Sequence, residues 1–168
     1  MKTRAGAILL LLVVPAAASA QAVAALNPLY ENIKGYIIKS AELMPEANYA
    51  FKPTPEVRSF GQLVGHMANA NFLICATAKG EKSPAAQDFE KTTEKAALVQ
   101  AVKDAFAYCD AVFKLPEASF ATMTELFGRK MSRLTVLMLN VGHDNEHYGN
   151  MVTYFRLKGM VPPSSQGG

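Results

Sequence analysis

Capping residues, prolines and glycines divide this chain into four long segments whose apolar residues recur at helical spacing. Such residues mark where helices begin and end, so the boundaries can be predicted from local sequence. The second segment is the clearest case, because Ser59 and Gln62 form a capping-box pattern and Gly80 lies just past its end. The four predicted helices cover residues 28–44, 60–79, 93–114 and 132–158.

The first helix is predicted to begin at Pro28, with Asn27 as its cap, because proline is favoured at the first helical position. Strand signals are weak, and residues 117–130 have no regular pattern. Four helices, the longer ones spanning about 30 Å, make an all-α four-helix bundle the expected fold. The polar connection 80–92 allows either a hairpin or a long crossover between helices 2 and 3, since about 13 extended residues reach roughly 43 Å.

The N-terminal segment has the composition of a cleaved secretory signal. Two basic residues precede an apolar run over 5–14, and Ala18-Ser19-Ala20 supplies the small residues that a signal peptidase needs. The run is shorter than the roughly 20 residues needed to cross a bilayer. No cysteine lies near the cleavage point for lipid attachment. We therefore expect removal of residues 1–20, export to the periplasm or beyond, no stable membrane anchor, and a mature domain over 21–168.

The mature chain carries too little charge to indicate nucleic-acid binding. The whole sequence has 17 basic and 14 acidic residues and a net charge of +3. Lys2 and Arg4 leave with the signal, which lowers the net charge to +1 and leaves no cluster of basic residues. A nucleic-acid partner is therefore not expected.

All three histidines of the chain fall in predicted helices, and two of them lie four residues apart. On a helix, His143 and His147 share one face, so both imidazoles can ligate one metal ion. Two ring nitrogens need at least one more ligand, and His66, on the apolar face of the second helix, is the remaining histidine. The sequence therefore predicts a site for one divalent transition metal, Zn, Ni or Fe, at His66, His143 and His147.

These histidines also have less specific explanations. A histidine on an apolar face is commonly a satisfied core residue, and a pair at this spacing is often found on the surface. However, Asn140, Asn150 and Tyr154 fall on the same side of the last predicted helix as His143 and His147. A polar strip within an apolar helix persists only where its groups find partners, and this favours a site.

Residues 143–147 also fit H-x-x-E-H, the pattern of inverted zinc peptidases. In those enzymes the third ligand is an acidic residue well downstream. No Asp or Glu follows His147 here. The third ligand must therefore come from upstream, and we reject the peptidase interpretation.

The motifs around the histidines resemble those of the DinB-like (DinB/YfiT) superfamily, and the resemblance covers nearly the whole mature chain. One group of matching motifs lies in the second predicted helix and the segment before it. The other group lies in the closing helix and the segment after it. The matching residues are F-K-P at 51–53, V-R-S-F-G-Q-L at 57–63, G-H at 65–66, H-D-N-E-H-Y-G-N at 143–150, Y-F-R-L-K-G at 154–159 and P-P-S at 162–164.

The resemblance implies a four-helix bundle of uncommon connectivity and a metal site of three histidines. Residue by residue, that site corresponds to His66, His143 and His147. Some members of the superfamily are transferases or isomerases that depend on low-molecular-weight thiols. This chain departs from them in carrying an export signal, because a cytosolic thiol pool is not available outside the cell.

Two classes of function are compatible with this site. In the first, the chain is a metal-dependent hydrolase or transferase acting on a small molecule, and Asp144 or Glu146 orients a ligand imidazole. Both carboxylates also fit ordinary solvated helix charges. In the second, the chain is a non-catalytic metal or small-molecule binding module. A cleft that reaches the metal would favour the first class, and a closed ligand shell the second. A homodimer is compatible with either.

Cys75 and Cys109 are expected not to form a disulfide with each other. Cys75 lies nine residues after His66, which turns it about 180° away from the metal-facing side of its helix. Cys109 belongs to the inward apolar stripe of the third helix and resembles a small core residue. A bridge also requires Cα atoms within about 7 Å, and the two cysteines reach similar heights only if helices 2 and 3 are parallel.

Overall fold

Four α-helices follow one another, and the last three lie at nearly the predicted positions. The computed structural model describes residues 15–166, so most of the predicted signal, residues 1–14, lies outside the described residues. The helices are α1 Pro15–Leu43, α2 Phe60–Lys79, α3 Lys95–Phe113 and α4 Arg133–Leu157. Within the described part of the chain, no helix is long and apolar enough to cross a membrane.

Local capping explains where α2 and α4 begin and end. Ser59 and Gln62 exchange hydrogen bonds of 3.1 and 2.9 Å between side chain and backbone, which completes the predicted capping box. The Ser132 hydroxyl caps the first turn of α4. Gly80 follows α2 at φ +86° and Gly159 follows α4 at φ +69°, in the left-handed region that favours glycine.

The predicted start of the first helix is wrong. α1 begins at Pro15 and continues through Pro28, which lies inside it. Pro28 removes one backbone hydrogen bond. The alanine-rich residues before it are strong helix formers, and Val23 and Leu26 are buried in the core. Helix propensity and the burial of Val23 and Leu26 therefore extend α1 toward the N-terminus, ahead of the start at Pro28 that the local sequence indicated.

α2 packs between α3 and α4, while α1 packs against α3 and α4 on the far side of the bundle. α2 and α3 are parallel, because Gly61 lies against Leu98 near their beginnings and Cys75 against Cys109 near their ends. The connection over 80–94 is therefore a crossover and not a hairpin. α4 runs antiparallel to α2, so that side chains of these two helices face each other along their length.

A short β-hairpin precedes α4, in a stretch where the sequence has no regular pattern. β1 Met123–Leu126 pairs antiparallel with β2 Arg129–Ser132. Phe127 and Gly128 join the strands with positive φ at both positions, as a type I′ turn requires. The Thr124 hydroxyl donates to a backbone carbonyl of α2 at 2.8 Å, which holds the hairpin at the end of that helix.

The expectation that Cys75 and Cys109 stay unpaired is wrong. Their sulfurs are bonded to each other, and their Cα atoms lie 5.3 Å apart. Cys75 lies opposite His66 on the helical wheel, but on that side α2 faces α3 and not solvent. The parallel crossover brings both cysteines to the same height, and both side chains are fully buried.

Candidate metal centre

The three histidines meet at one point between α2 and α4. His66 lies in the first half of α2, and His143 and His147 lie one turn apart on α4. Their Nε2 atoms are 3.3 Å (His66–His143), 3.1 Å (His66–His147) and 3.0 Å (His143–His147) apart. Ring nitrogens that share one tetrahedral ion at about 2.0–2.1 Å lie roughly 3.3 Å from one another. The arrangement therefore fits a single metal ion.

The surroundings keep two of these imidazoles neutral. Burial, reinforced by the two neighbouring imidazoles, lowers the pKa of His143 to about 4. Burial also lowers the pKa of His147, and His66 contributes in the same direction. Because a metal binds the neutral imidazole, both rings have a free lone pair at neutral pH.

Glu90 is the carboxylate that contacts the triad, and no sequence pattern indicated it. Its Oε1 lies 2.7 Å from His66 Nδ1, and its Oε2 accepts a 2.9 Å hydrogen bond from Arg58 Nε. Partial burial by itself raises the pKa of Glu90, but the hydrogen bonds from Arg58 and His66 outweigh it and lower the pKa below its usual value. Glu90 comes from the crossover, where neither spacing nor periodicity relates it to His66.

Asp144 and Glu146, the predicted outer carboxylates, have other surroundings. Asp144 is fully buried between α2 and α4, where its oxygens accept hydrogen bonds from Asn71 (2.9 Å) and Asn140 (3.2 Å). Burial raises the pKa of Asp144 to about 8, although the hydrogen bond from Asn71 opposes the rise. Glu146 is exposed on α4. Asp144 therefore joins α2 to α4, and Glu146 is a solvated surface charge.

The Nδ1 atoms of the other two histidines have weaker partners. His147 Nδ1 lies 3.3 Å from the side-chain amide of Asn150. His143 Nδ1 is buried and has no hydrogen-bond partner among the described residues. His66 is thus the member of the triad whose ring is held by a charged group.

An open cleft of about 730 Å³ leads to the triad, and His147 and Glu90 form part of its wall. Tyr154 also lines the cleft, and its hydroxyl donates to the Arg58 carbonyl oxygen, which ties the segment before α2 to α4. Asn140, from the same predicted polar strip, lies instead in the buried cluster around Asp144. The rest of the wall combines apolar, polar and charged side chains: Pro53, Val57, Leu63, Lys52, Glu56, Arg58, Gln62, Asn150 and Thr153.

The sequence matches the family model of the DinB superfamily over residues 31–151, which include all three histidines. The chain belongs to the DinB superfamily. The resemblance found in the sequence motifs is thereby confirmed, together with the expected helical bundle. A comparison with curated proteins found no significant match to this DinB-superfamily chain.

Several solved structures share this DinB-superfamily fold. A DinB-like protein of Bacillus cereus ATCC 10987 has a TM-score of 0.68 at 19% identity, over 78% of this chain and 89% of that one. A DinB-like protein of Bacillus subtilis, YjoA, has a TM-score of 0.62 at 23% identity, over 84% and 93%. A mutant of mycothiol-dependent maleylpyruvate isomerase has a TM-score of 0.64 at 14% identity, over 79% and 60%. These TM-scores show a common fold, and at such low identities they show the fold alone.

Proposed function

We propose that this DinB-superfamily chain binds one divalent transition metal ion, Zn, Ni or Fe, through His66, His143 and His147. The observation that carries the proposal is the convergence of three Nε2 atoms within 3.0–3.3 Å of one another. Imidazole nitrogens suit these metals, whereas Mg and Ca prefer oxygen ligands. The low pKa of His143 supports the proposal further, because the ring does not have to lose a proton before it binds.

We further propose that the site is catalytic and serves a hydrolase or transferase reaction on a small molecule. A metal ion, when bound, supplies Lewis acidity for polarising a substrate oxygen or activating water. The cleft places apolar Val57 and Leu63 beside polar Asn150 and Thr153, a combination that is common in small-molecule sites. The apolar side chains can exclude water from a substrate, while the polar ones orient it.

The open cleft is the feature that separates the two classes of function. A metal enclosed by four protein ligands is typical of structural sites. Here three histidines provide the ligand set, and His147 lines a cleft that is open to solvent. This supports a catalytic role over a non-catalytic binding module.

The substrate is left at the level of a small molecule. The structural neighbour named as a mycothiol-dependent maleylpyruvate isomerase supports an enzymatic role for the fold, but at 14% identity it carries no argument about the substrate here. Export would also separate this chain from a cytosolic thiol pool. We therefore do not assign a thiol to the reaction.

We also propose that the chain is exported and cleaved after Ala20. The N-terminal pattern supports this, and so does the disulfide, because such bonds persist in oxidising compartments. Val23 and Leu26, which are buried, follow the cleavage point, so a chain that begins at Gln21 keeps their contacts. Mass spectrometry of periplasmic or secreted protein should find Gln21 as the first residue. A mature cytoplasmic protein that retains Met1 would contradict export.

Elemental analysis of protein purified from its native compartment tests the metal proposal. We expect one transition-metal ion per chain. Protein that contains no such metal, and takes up none of the added Zn²⁺, Ni²⁺ or Fe²⁺, would contradict it. The catalytic proposal is tested by comparing metal-loaded and chelator-treated protein against panels of small esters, amides and electrophiles, where turnover should require the metal.

A further inference from the structure

The crossover between α2 and α3 is pressed against α2 next to the first histidine of the triad. Its 3-10 turn, Phe89–Lys91, lies over Gly65, the residue before His66. A Cβ atom at Gly65 would stand 2.8 Å from the Glu90 amide nitrogen and closer still to the Phe89 carbonyl group. Glycine at position 65 is therefore what permits the turn to approach the helix this closely.

Side chains of α2 hold the same turn in a fixed orientation. Asn69 Nδ2 donates to Asp88 Oδ1 at 2.8 Å, and Asn69 Oδ1 accepts from the Phe89 amide at 3.1 Å. Asp88 in turn accepts from the Glu90 amide at 3.1 Å. The Phe89 ring stacks on Phe72 of α2 with a centroid distance of 6.2 Å. These contacts together fix the backbone from which the Glu90 side chain extends.

The fixed turn places the Glu90 carboxylate between His66 Nδ1, at 2.7 Å, and Arg58 Nε, at 2.9 Å. We infer that Glu90 is a positioning residue of the metal centre. It accepts a hydrogen bond from His66 Nδ1–H and so leaves the Nε2 lone pair of His66 directed toward His143 and His147. This inference rests on the proposed metal-binding function.

The role follows from the chemistry of imidazole. A neutral imidazole carries its proton on one of two nitrogens, and a metal binds the other. A carboxylate beside Nδ1 selects the form protonated there, fixes the plane of the ring and makes Nε2 a stronger donor. His66 depends on such a partner more than His143 and His147 do, because those two share the rigid frame of α4 whereas His66 comes from another helix.

A purely structural ion pair between Glu90 and Arg58 is the alternative explanation. Both side chains are partly exposed, and ion pairs of this kind contribute little to stability. Such a pair would use the same turn, because the contacts at Gly65 and Asn69 hold the backbone of Glu90 in either role. Removal of a purely structural pair would, however, leave the His66 ring unchanged. The state of that ring therefore separates the two roles.

Nitrogen-15 NMR of the metal-free protein, at a pH where His66 is neutral, reports which of its ring nitrogens carries the proton. We expect the Nδ1-protonated form in the wild type. Glu90→Gln should keep it, because the amide oxygen can still accept a hydrogen bond. Glu90→Ala should give a mixture of both forms. A His66 spectrum in Glu90→Ala identical to that of the wild type would overturn the inference.

Competition between protein and a chelator for Zn²⁺ gives the second measurement. Glu90→Ala should weaken Zn²⁺ binding about 10–100-fold, and Glu90→Gln should weaken it less. Glu94→Gln, which alters an exposed carboxylate of the same crossover, is the matched control and should bind like the wild type. Gly65→Ala, which displaces the turn, should weaken binding as Glu90→Ala does and add nothing to it in the double variant.

The binding data also separate failure of the inference from failure of the metal proposal. A wild-type protein that binds no Zn²⁺ would overturn both. A wild-type protein that binds one Zn²⁺ ion, with Glu90→Ala equal to it in affinity, would keep the metal site and overturn the role of Glu90 alone.

Discussion

In the proposed metal site His147 is one of three nitrogen donors, so its removal leaves two. Two imidazoles are a poor ligand set for a divalent ion, and His147→Ala should therefore abolish stoichiometric metal binding. The loss of metal affinity should exceed the roughly 10–100-fold effect expected for a residue that orients a ligand without binding the metal itself. Elemental analysis after exhaustive dialysis measures it.

Glu146→Gln is the matched control, because Glu146 precedes His147 on the same helix and is exposed. That variant should keep the metal. Equal and complete loss of metal in both variants would show that Glu146 is itself a ligand.

Asp144 joins α2 to α4 by accepting a hydrogen bond from Asn71 of α2, and it also accepts one from Asn140, one turn earlier on α4, so its removal should be costly. In Asp144→Ala the Asn71 and Asn140 side chains lose an acceptor inside the bundle, where an unpaired polar group costs about 1–3 kcal/mol. We expect the free energy of unfolding, measured in urea, to fall by about 2–3 kcal/mol. Asp104→Ala, which alters an exposed carboxylate of α3, should change it by less than about 0.5 kcal/mol. Equal stability of the two variants would contradict this role.

The triad could be predicted from the sequence because helix geometry fixes how His143 and His147 face each other. His66 could then be predicted as the third member because it is the remaining one of the three histidines in the chain. Glu90 could not be predicted, since it approaches His66 only through the packing of the crossover on Gly65. Helical periodicity predicts which way a helical residue points, but it does not predict where a non-helical turn packs.

At the scale of elements, Pro28 tests where α1 begins. Inside a helix, proline removes a hydrogen bond and costs about 3 kcal/mol relative to alanine, partly offset by its smaller entropy in the unfolded chain. Pro28→Ala should therefore raise the free energy of unfolding by roughly 1–2 kcal/mol. Pro28 is exposed, so the substitution removes no core contact.

Urea unfolding of wild type and Pro28→Ala at one pH measures the difference. Pro84→Ala, at an exposed position in the crossover, is the control and should not gain stability. A Pro28→Ala variant no more stable than the wild type would indicate that the helix begins at residue 28, as the local sequence predicted.

The other helix boundaries could be predicted where the residues that determine them lie close to the boundary in sequence. The capping box at Ser59 and the glycine at 80 act within a few residues, so the sequence contains them in full. The hairpin turn was missed because Phe127 adopts a positive φ that bulky residues rarely take. Its conformation is imposed by strand pairing and by attachment to α2.

At the scale of the whole molecule, the parallel arrangement of α2 and α3 determines which distant residues meet. The sequence left a hairpin and a crossover open, because a polar connection of that length allows both. The crossover puts Glu90 beside His66 and also brings Cys75 level with Cys109. One topological choice therefore produced both the Glu90–His66 contact and the disulfide, neither of which the sequence predicted.

The bond between Cys75 and Cys109 joins these parallel helices across a sequence separation of 34 residues. Closing a loop of this length restricts the unfolded chain and should stabilise the fold by about 3–4 kcal/mol. The double variant Cys75→Ala/Cys109→Ala avoids leaving one buried thiol without a partner. Its free energy of unfolding should be lower than that of the oxidised wild type by about that amount.

Unfolding in the presence and absence of a reductant separates the bond from the packing of the two side chains. The reductant should lower the stability of the wild type toward that of the double variant, while the variant itself should not respond. Thiol titration of unfolded, unreduced protein should find no free thiol in the monomer, because both cysteines of the chain are in the bond. Two free thiols per chain, with equal stability in the two conditions, would show that the cysteines only pack against each other and would remove one support for export.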